Sequence, residues 1–158
     1  KLIERMQNHE VREAMRQADI LAEQFIHPAY SLSGIEGMAS GLAVMANLDS
    51  EFYTRVYRRF SYLNECPILS TTLETMVDNM RLLVTRPDLR RQLGEAGRLY
   101  AVKYHSLEAA AFLFGSVYRK ILGGEDVDLL NLFHPLTSDY VRTNPISHPL
   151  VENRFLNS

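Results

Sequence analysis

Tryptophan is missing from this chain of 158 residues, and cysteine occurs once, as Cys66. A lone thiol excludes an internal disulfide and fits a reducing compartment, so burial and hydrogen bonding must hold the fold. No apolar run approaches the ~20 residues that cross a bilayer as a helix, and no signal peptide is visible. Neither sign of charge dominates. Lys and Arg total 17 against 19 Asp and Glu, and the net charge of -2 gives no overall electrostatic reason to expect nucleic acid as a partner. The expectation from these absences is a cytoplasmic protein. The five histidines show none of the close pairings of a zinc helix, and one cysteine cannot complete a thiolate site. Walker A, Gly-x-Gly-x-x-Gly and Gly-x-Ser-x-Gly segments are all lacking, so neither metal nor cofactor is expected. What is present, 46% hydrophobic and 23% charged residues, is the composition of a single globular domain. A chain of this length buries about two thirds of its unfolded surface.

The stretch ADILAEQFIHPAYSLSGIEGMASGLAVMANL, Ala18 to Leu48, organises the rest. Ile20, Leu21 and Phe25 give a β-prone run, and a loop with Pro28, Ser31, Ser33 and Gly34 follows. A short helix is predicted from Ile35 to Ser40, with Gly41 as its left-handed stop. Ala43 to Leu48 is apolar almost throughout, as a central parallel strand requires. This βαβ unit presents backbone N–H groups at a helix N-terminus, suited to phosphate, with Glu36 in the first helical turn.

Before it, Asn8 to Ala18 reads as an amphipathic helix with Asn8 as N-cap and His9 facing solvent. After it, Asp49 or Ser50 is expected to cap a helix reaching about Asn64, with Phe52, Val56, Tyr57, Phe60 and Leu63 as its apolar stripe. Arg55, Arg58 and Arg59 form its other side. They are either a solvated face or a contact for an acidic partner, such as a lipid-linked or phosphorylated acceptor. Cys66 to Ser70 is a third strand, and Thr71 to Glu74 a capping box opening a helix with Leu73, Met76, Val77, Met80 and Leu83 inward. Pro87 starts a helix lined by Leu89, Leu93, Ala96 and Tyr100, with Arg90, Arg91 and Arg98 solvated or paired with Asp88 and Glu95. Ser106 caps another, with Leu107, Ala110, Phe114, Val117 and Ile121 buried and Gly123 as its stop. Residues 125–158 lose periodicity yet stay apolar, with Leu129, Leu130, Leu132, Phe133, Tyr140, Val151, Phe155 and Leu156, so this tail must pack on the domain or on a partner. The fold class expected is α/β, a parallel sheet flanked by helices with an extended C-terminal tail, residues 1–124 forming the domain.

Glu36-Gly37-Met38-Ala39-Ser40-Gly41-Leu42-Ala43-Val44 resembles the "E-A-M-A-x-G-x-P-V" segment of retaining GT-B type glycosyltransferases of family 4. Ala18-Asp19-Ile20 with Gln24 is similar to the "A-D-I-x-x-x-Q" strand of a bacterial subgroup. The segments Cys66 to Thr71, Asp88 to Arg90, Leu93 to Arg98 and Tyr104 to Ser106 extend the likeness over roughly residues 8 to 122. The resemblance implies a partial Rossmann-like, C-terminal donor domain that binds a nucleotide-diphosphate sugar for transfer to an acceptor hydroxyl. It implies donor binding by Glu36, through the ribose hydroxyls, and by the backbone of Ser33, Gly34 and Ile35, through the diphosphate, with Tyr30 in the same loop. Thr71 and Thr72, beyond the carboxyl end of the third strand, are expected either as second contacts to the donor or simply as the cap of the next helix. The resemblance assigns no catalytic residue. The acceptor and any general base would come mainly from the acceptor domain of the same enzyme.

Pro28 stands where the family has an earlier glutamate, while Gly37 and Ala43 replace Ala and Pro. A start at Lys1 without Met, together with the further upstream strands that such a domain has, leads to the expectation of a piece of a larger enzyme. Two alternatives remain: a catalytically silent relative that binds partners, and an unrelated doubly wound domain for some other phosphorylated ligand. A second copy of the chain and peripheral contact with a membrane stay open as partners.

Overall fold

The computed structural model describes residues 4–50 and 52–150. It is an α/β chain with three parallel strands, β1 (Ile20–Ala22), β2 (Ala43–Ala46) and β3 (Leu69–Ser70), in the order β1-β2-β3. Ile20 lies opposite Ala43, and Met45 opposite Leu69. Every residue of β2 is buried. Because side chains alternate along a strand, Ala43 and Met45 supply one cluster and Val44 and Ala46 another, so both faces of the sheet are covered. All three strands are shorter than expected. Phe25 lies beyond the end of β1, and Cys66 to Ile68 lead into β3 without joining the ladder.

Eight residues of α1 (Asn8–Arg16) follow its first, which is helical. The cap is therefore Gln7, not Asn8, and its N–H donates to Glu10 at 2.7 Å. Between β1 and β2 runs α2 (Leu32–Ala39), and Gly41 behind it takes φ +80°, as expected of its stop. Two short pieces, α3 (Thr54–Phe60) and a 3-10 turn at Tyr62–Glu65, replace the single helix expected to Asn64. The break is at Ser61, whose extended backbone ends α3. After β3, α4 (Met76–Thr85) starts later than the expected capping box. The Thr72 N–H donates to the Thr75 hydroxyl, so residues 72–75 form a turn.

The longest helix, α5 (Pro87–His105), begins on Pro87 as read, and its Leu89, Leu93, Ala96 and Tyr100 are buried. It crosses the turn between α2 and β2 so closely that a Cβ on Gly94 would stand 2.0 Å from the Gly41 carbonyl oxygen. Two of its arginines close the ends of other helices instead of being solvated or paired with acids. Arg90 donates to the Leu83 carbonyl at 2.6 Å and Arg98 to that of Ala39 at 2.8 Å.

The Ser106 hydroxyl caps α6 (Leu107–Gly123), and the left-handed residue behind it is Gly124 rather than Gly123. Its expected buried stripe is mostly outside: Leu107 is 86% and Ile121 70% exposed. The small Ala109 and Ser116 are buried instead, which permits close approach. The helix carries two apolar stripes, and periodicity alone does not say which one meets a neighbour. Leu73 and Val77, of the stripe expected on the helix after β3, are likewise exposed, while Met80 and Leu83 face the core.

Residues 125–150 pack back over the domain. Val141, within a single turn α7 (Asp139–Arg142), and Ile146 join the cluster of Val44. Tyr140 stacks on Phe112 at 4.3 Å and donates its hydroxyl to the Lys103 carbonyl. Lys103 in turn meets the buried Glu65 carboxylate at 2.9 Å, which also accepts the Tyr104 hydroxyl at 2.6 Å. Leu130 is exposed, and Val151, Phe155 and Leu156 lie outside the described residues. Among the described residues no helix is long and apolar enough to cross a membrane.

Candidate functional site

Parallel strands place the loops after β1, β2 and β3 at one edge of the sheet, where ligands of open α/β sheets bind. The loop after β1 is tied down at that edge. Ala29 donates its N–H to the Asn47 carbonyl at 2.8 Å, Asn47 donates to Gln24 at 2.9 Å, and the Asn47 side chain donates to the Phe25 carbonyl at 3.0 Å. Ala29, behind Pro28, has φ 149°, a strained value for a residue with a Cβ. This turn sends Tyr30 inward. Its hydroxyl lies 2.8 Å from that of Tyr100 and 3.2 Å from His105 Nε2, so Tyr30 clamps the loop to α5 instead of reaching a ligand. Burial first, and then the nearby Cys66, push the Tyr30 phenol well above its ordinary value. Burial also lowers the His105 imidazole.

The N-terminus of α2 already holds an anion. Glu23, at the end of β1, turns its carboxylate onto it. Oε1 accepts the Ser31 N–H at 2.8 Å, the Gly34 N–H at 3.2 Å, the Ser33 hydroxyl at 2.9 Å and the Ser31 hydroxyl. Oε2 is buried and has no hydrogen-bond partner among the described residues. A Cβ on Gly34 would come within 3.0 Å of Oε2 and 3.1 Å of the Tyr30 Cβ, so glycine there is what lets both side chains close on the helix end. Two backbone N–H groups, two hydroxyls and the helix dipole thus converge on one carboxylate oxygen, an arrangement that suits a phosphate oxygen equally well.

The expected donor-binding residues distribute as follows. Ser33 and Gly34 stand at this anion site. The Ile35 N–H does not, since it donates to the Ser31 carbonyl inside α2 at 3.2 Å, and its side chain packs on the core. Glu36 is exposed, but α2 begins at Leu32, which puts it beyond the first turn where it was expected. Thr71 is fully buried, its hydroxyl donating to Leu69 at 2.8 Å and accepting from Asn79 at 3.0 Å, so it cannot reach a ligand. Thr72 is half-buried and engaged with Thr75. Glu23 is the residue at this site that the sequence reading missed. The sequence offered only a serine-rich loop before the helix, and the lack of an acid in the first turn emerges once α2 is seen to start at Leu32. Among the described residues no three His, Cys, Asp or Glu side chains gather as a cation site. Compared with known proteins, the chain matches no family model, no curated protein and no solved structure.

Proposed function

We propose that the chain is the donor-binding part of a retaining, nucleotide-sugar-dependent glycosyltransferase of the GT-B type, with a partial Rossmann-like sheet. The observation that carries this reading is the anion-holding N-terminus of α2 at the carboxyl edge of a parallel sheet, with Glu36 exposed farther along the same helix. Supporting it is the resemblance of residues 36–44, whose Gly41 takes the left-handed turn that the segment requires. In this reading the nucleoside diphosphate displaces Glu23 and takes up the Ser31 and Gly34 N–H groups. Glu36 accepts from the ribose hydroxyls. As the bond between the anomeric carbon and the diphosphate oxygen breaks, the helix N-terminus stabilises the departing diphosphate, and the acceptor hydroxyl, held by the acceptor domain, bonds to that carbon and passes its proton to a general base of that domain.

Calorimetric titration with uridine, guanosine, adenosine and thymidine diphosphates tests the reading. One of them should bind, and bind more tightly when Glu23→Gln removes the internal competitor. No heat from any of them, in parent and variant alike, would refute it. One observation favours a second reading, a catalytically silent, partner-binding relative. Glu23 fills the helix end by itself, and in that case its replacement lowers stability without creating nucleotide affinity.

A further inference from the structure

We infer that the surface around α3 is a docking face for an anionic lipid bilayer. Of the residues expected to form the apolar stripe here, Phe52 is 85%, Val56 56%, Tyr57 58% and Phe60 41% exposed, and the neighbouring Tyr53 is 61% exposed. Thr54 is the position turned inward. Ile26 and Leu32, in the loop after β1 and at the start of α2, are each 76% exposed. The loops after β1 and β2 leave the same edge of the parallel sheet. Isolated exposed apolar residues are ordinary, whereas a set gathered at one edge marks an interaction surface.

Charge selects the occupant. Residues 52–60, FYTRVYRRF, hold three arginines and no acid in a chain whose net charge is -2, and the nearest acids, Asp49 and Glu51, precede them. Arg59 is exposed beside Val56 and Phe60, while Arg58 is half-buried and reaches the Leu48 carbonyl at 3.4 Å. A second copy seated on this face would set arginine against arginine. An anionic bilayer matches both halves of the face: aromatic and branched side chains enter the headgroup boundary, and the exposed Arg59 meets lipid phosphate. Docking of this kind does not depend on whether the sheet edge binds a nucleotide.

Flotation of the full chain with vesicles tests it, using phosphatidylcholine alone and a mixture of phosphatidylcholine with phosphatidylglycerol. The chain should float with the mixture, and added salt should weaken the association. Arg59→Glu should lower the partition coefficient by about an order of magnitude or more. The exposed pair Phe52→Ser and Tyr53→Ser should lower it at every salt concentration while the far-ultraviolet spectrum and melting temperature stay those of the parent. Failure to float with either vesicle, equal flotation with both, or variants that float like the parent would each overturn the inference. So would sedimentation showing that these substitutions dissolve a dimer and leave flotation unchanged.

Discussion

Replacing Glu23 by Gln should do two opposite things at once. The carboxylate oxygen accepts four hydrogen bonds at the start of α2, two of them from backbone N–H groups that would otherwise be orphaned. Hydrogen bonds to a charged group contribute about 1.5–3 kcal/mol each and neutral ones about 0.5–1.5 kcal/mol, though members of a shared set do not add. An amide oxygen keeps the shape and loses the charge, together with a helix-dipole contribution of about 0.3–1 kcal/mol. A net loss of about 1–2 kcal/mol follows, which lowers the melting temperature of a domain this size by roughly 2–8 °C. The same loss frees the site. A ligand that must displace an internal competitor has its apparent affinity divided by the competitor's advantage, so affinity for an added anion should rise about five- to thirtyfold. Inorganic pyrophosphate, titrated calorimetrically alongside a thermal melt, reads both effects. A lowered melting temperature with no gain in pyrophosphate binding would show that Glu23 is a cap and nothing more, and the anion-site reasoning would fall.

Gly94→Ala places a Cβ 2.0 Å from the Gly41 carbonyl, and a backbone atom cannot step aside cheaply, so a loss of about 3 kcal/mol or more should appear in chemical denaturation. A stability within error of the parent would disprove the tight crossing. Lys103→Met leaves the buried Glu65 carboxylate without its cation and should cost about 3–5 kcal/mol, much of it recovered when Glu65→Gln is added. Additive losses in the double-mutant cycle would contradict that coupling. His105 is held below the ordinary imidazole value of 6.5 by burial, so the unfolded chain binds the extra proton more readily than the folded one. Its stabilising contribution is complete above pH 6.5 and declines as pH falls toward the folded value. Denaturation midpoints measured through that window should fall in the parent and stay flatter in His105→Gln.

Local chemistry was legible and distant contacts were not. Pro87 and Ser106 announced the starts of α5 and α6 because both act on N–H groups of the helix they open. Gly41 announced its turn because the backbone there needs positive φ. The apolar run of β2 and the inward side of α5 were legible because each is a pattern that a single element possesses. Glu23 escaped because its partners begin eight residues away and meet it only when β1 and α2 are set side by side. Thr71 reads as a ligand contact by position, yet Asn79 and Leu69 take its hydroxyl into the core. On α3 and α6 the apolar spacing was read correctly as helical and wrongly as buried, since a stripe is covered only where the topology supplies a neighbour. The position of Glu36 shifted for a related reason. Leu32, Ser33 and Gly34 extend α2 backward, where Glu23 supplies the cap that the local sequence lacks.

The account's central claim rests on Glu36 facing a ligand. Loss of a charged hydrogen-bond pair to ribose is worth about 1.5–3 kcal/mol, one to two orders of magnitude in affinity. Titration of the nucleoside diphosphates into Glu36→Gln should therefore give a dissociation constant raised on that scale, while the melting temperature of the unliganded chain stays within about a degree of the parent, as an exposed side chain requires. Unchanged nucleotide affinity in this variant, or no nucleotide binding by the parent, would contradict the claim.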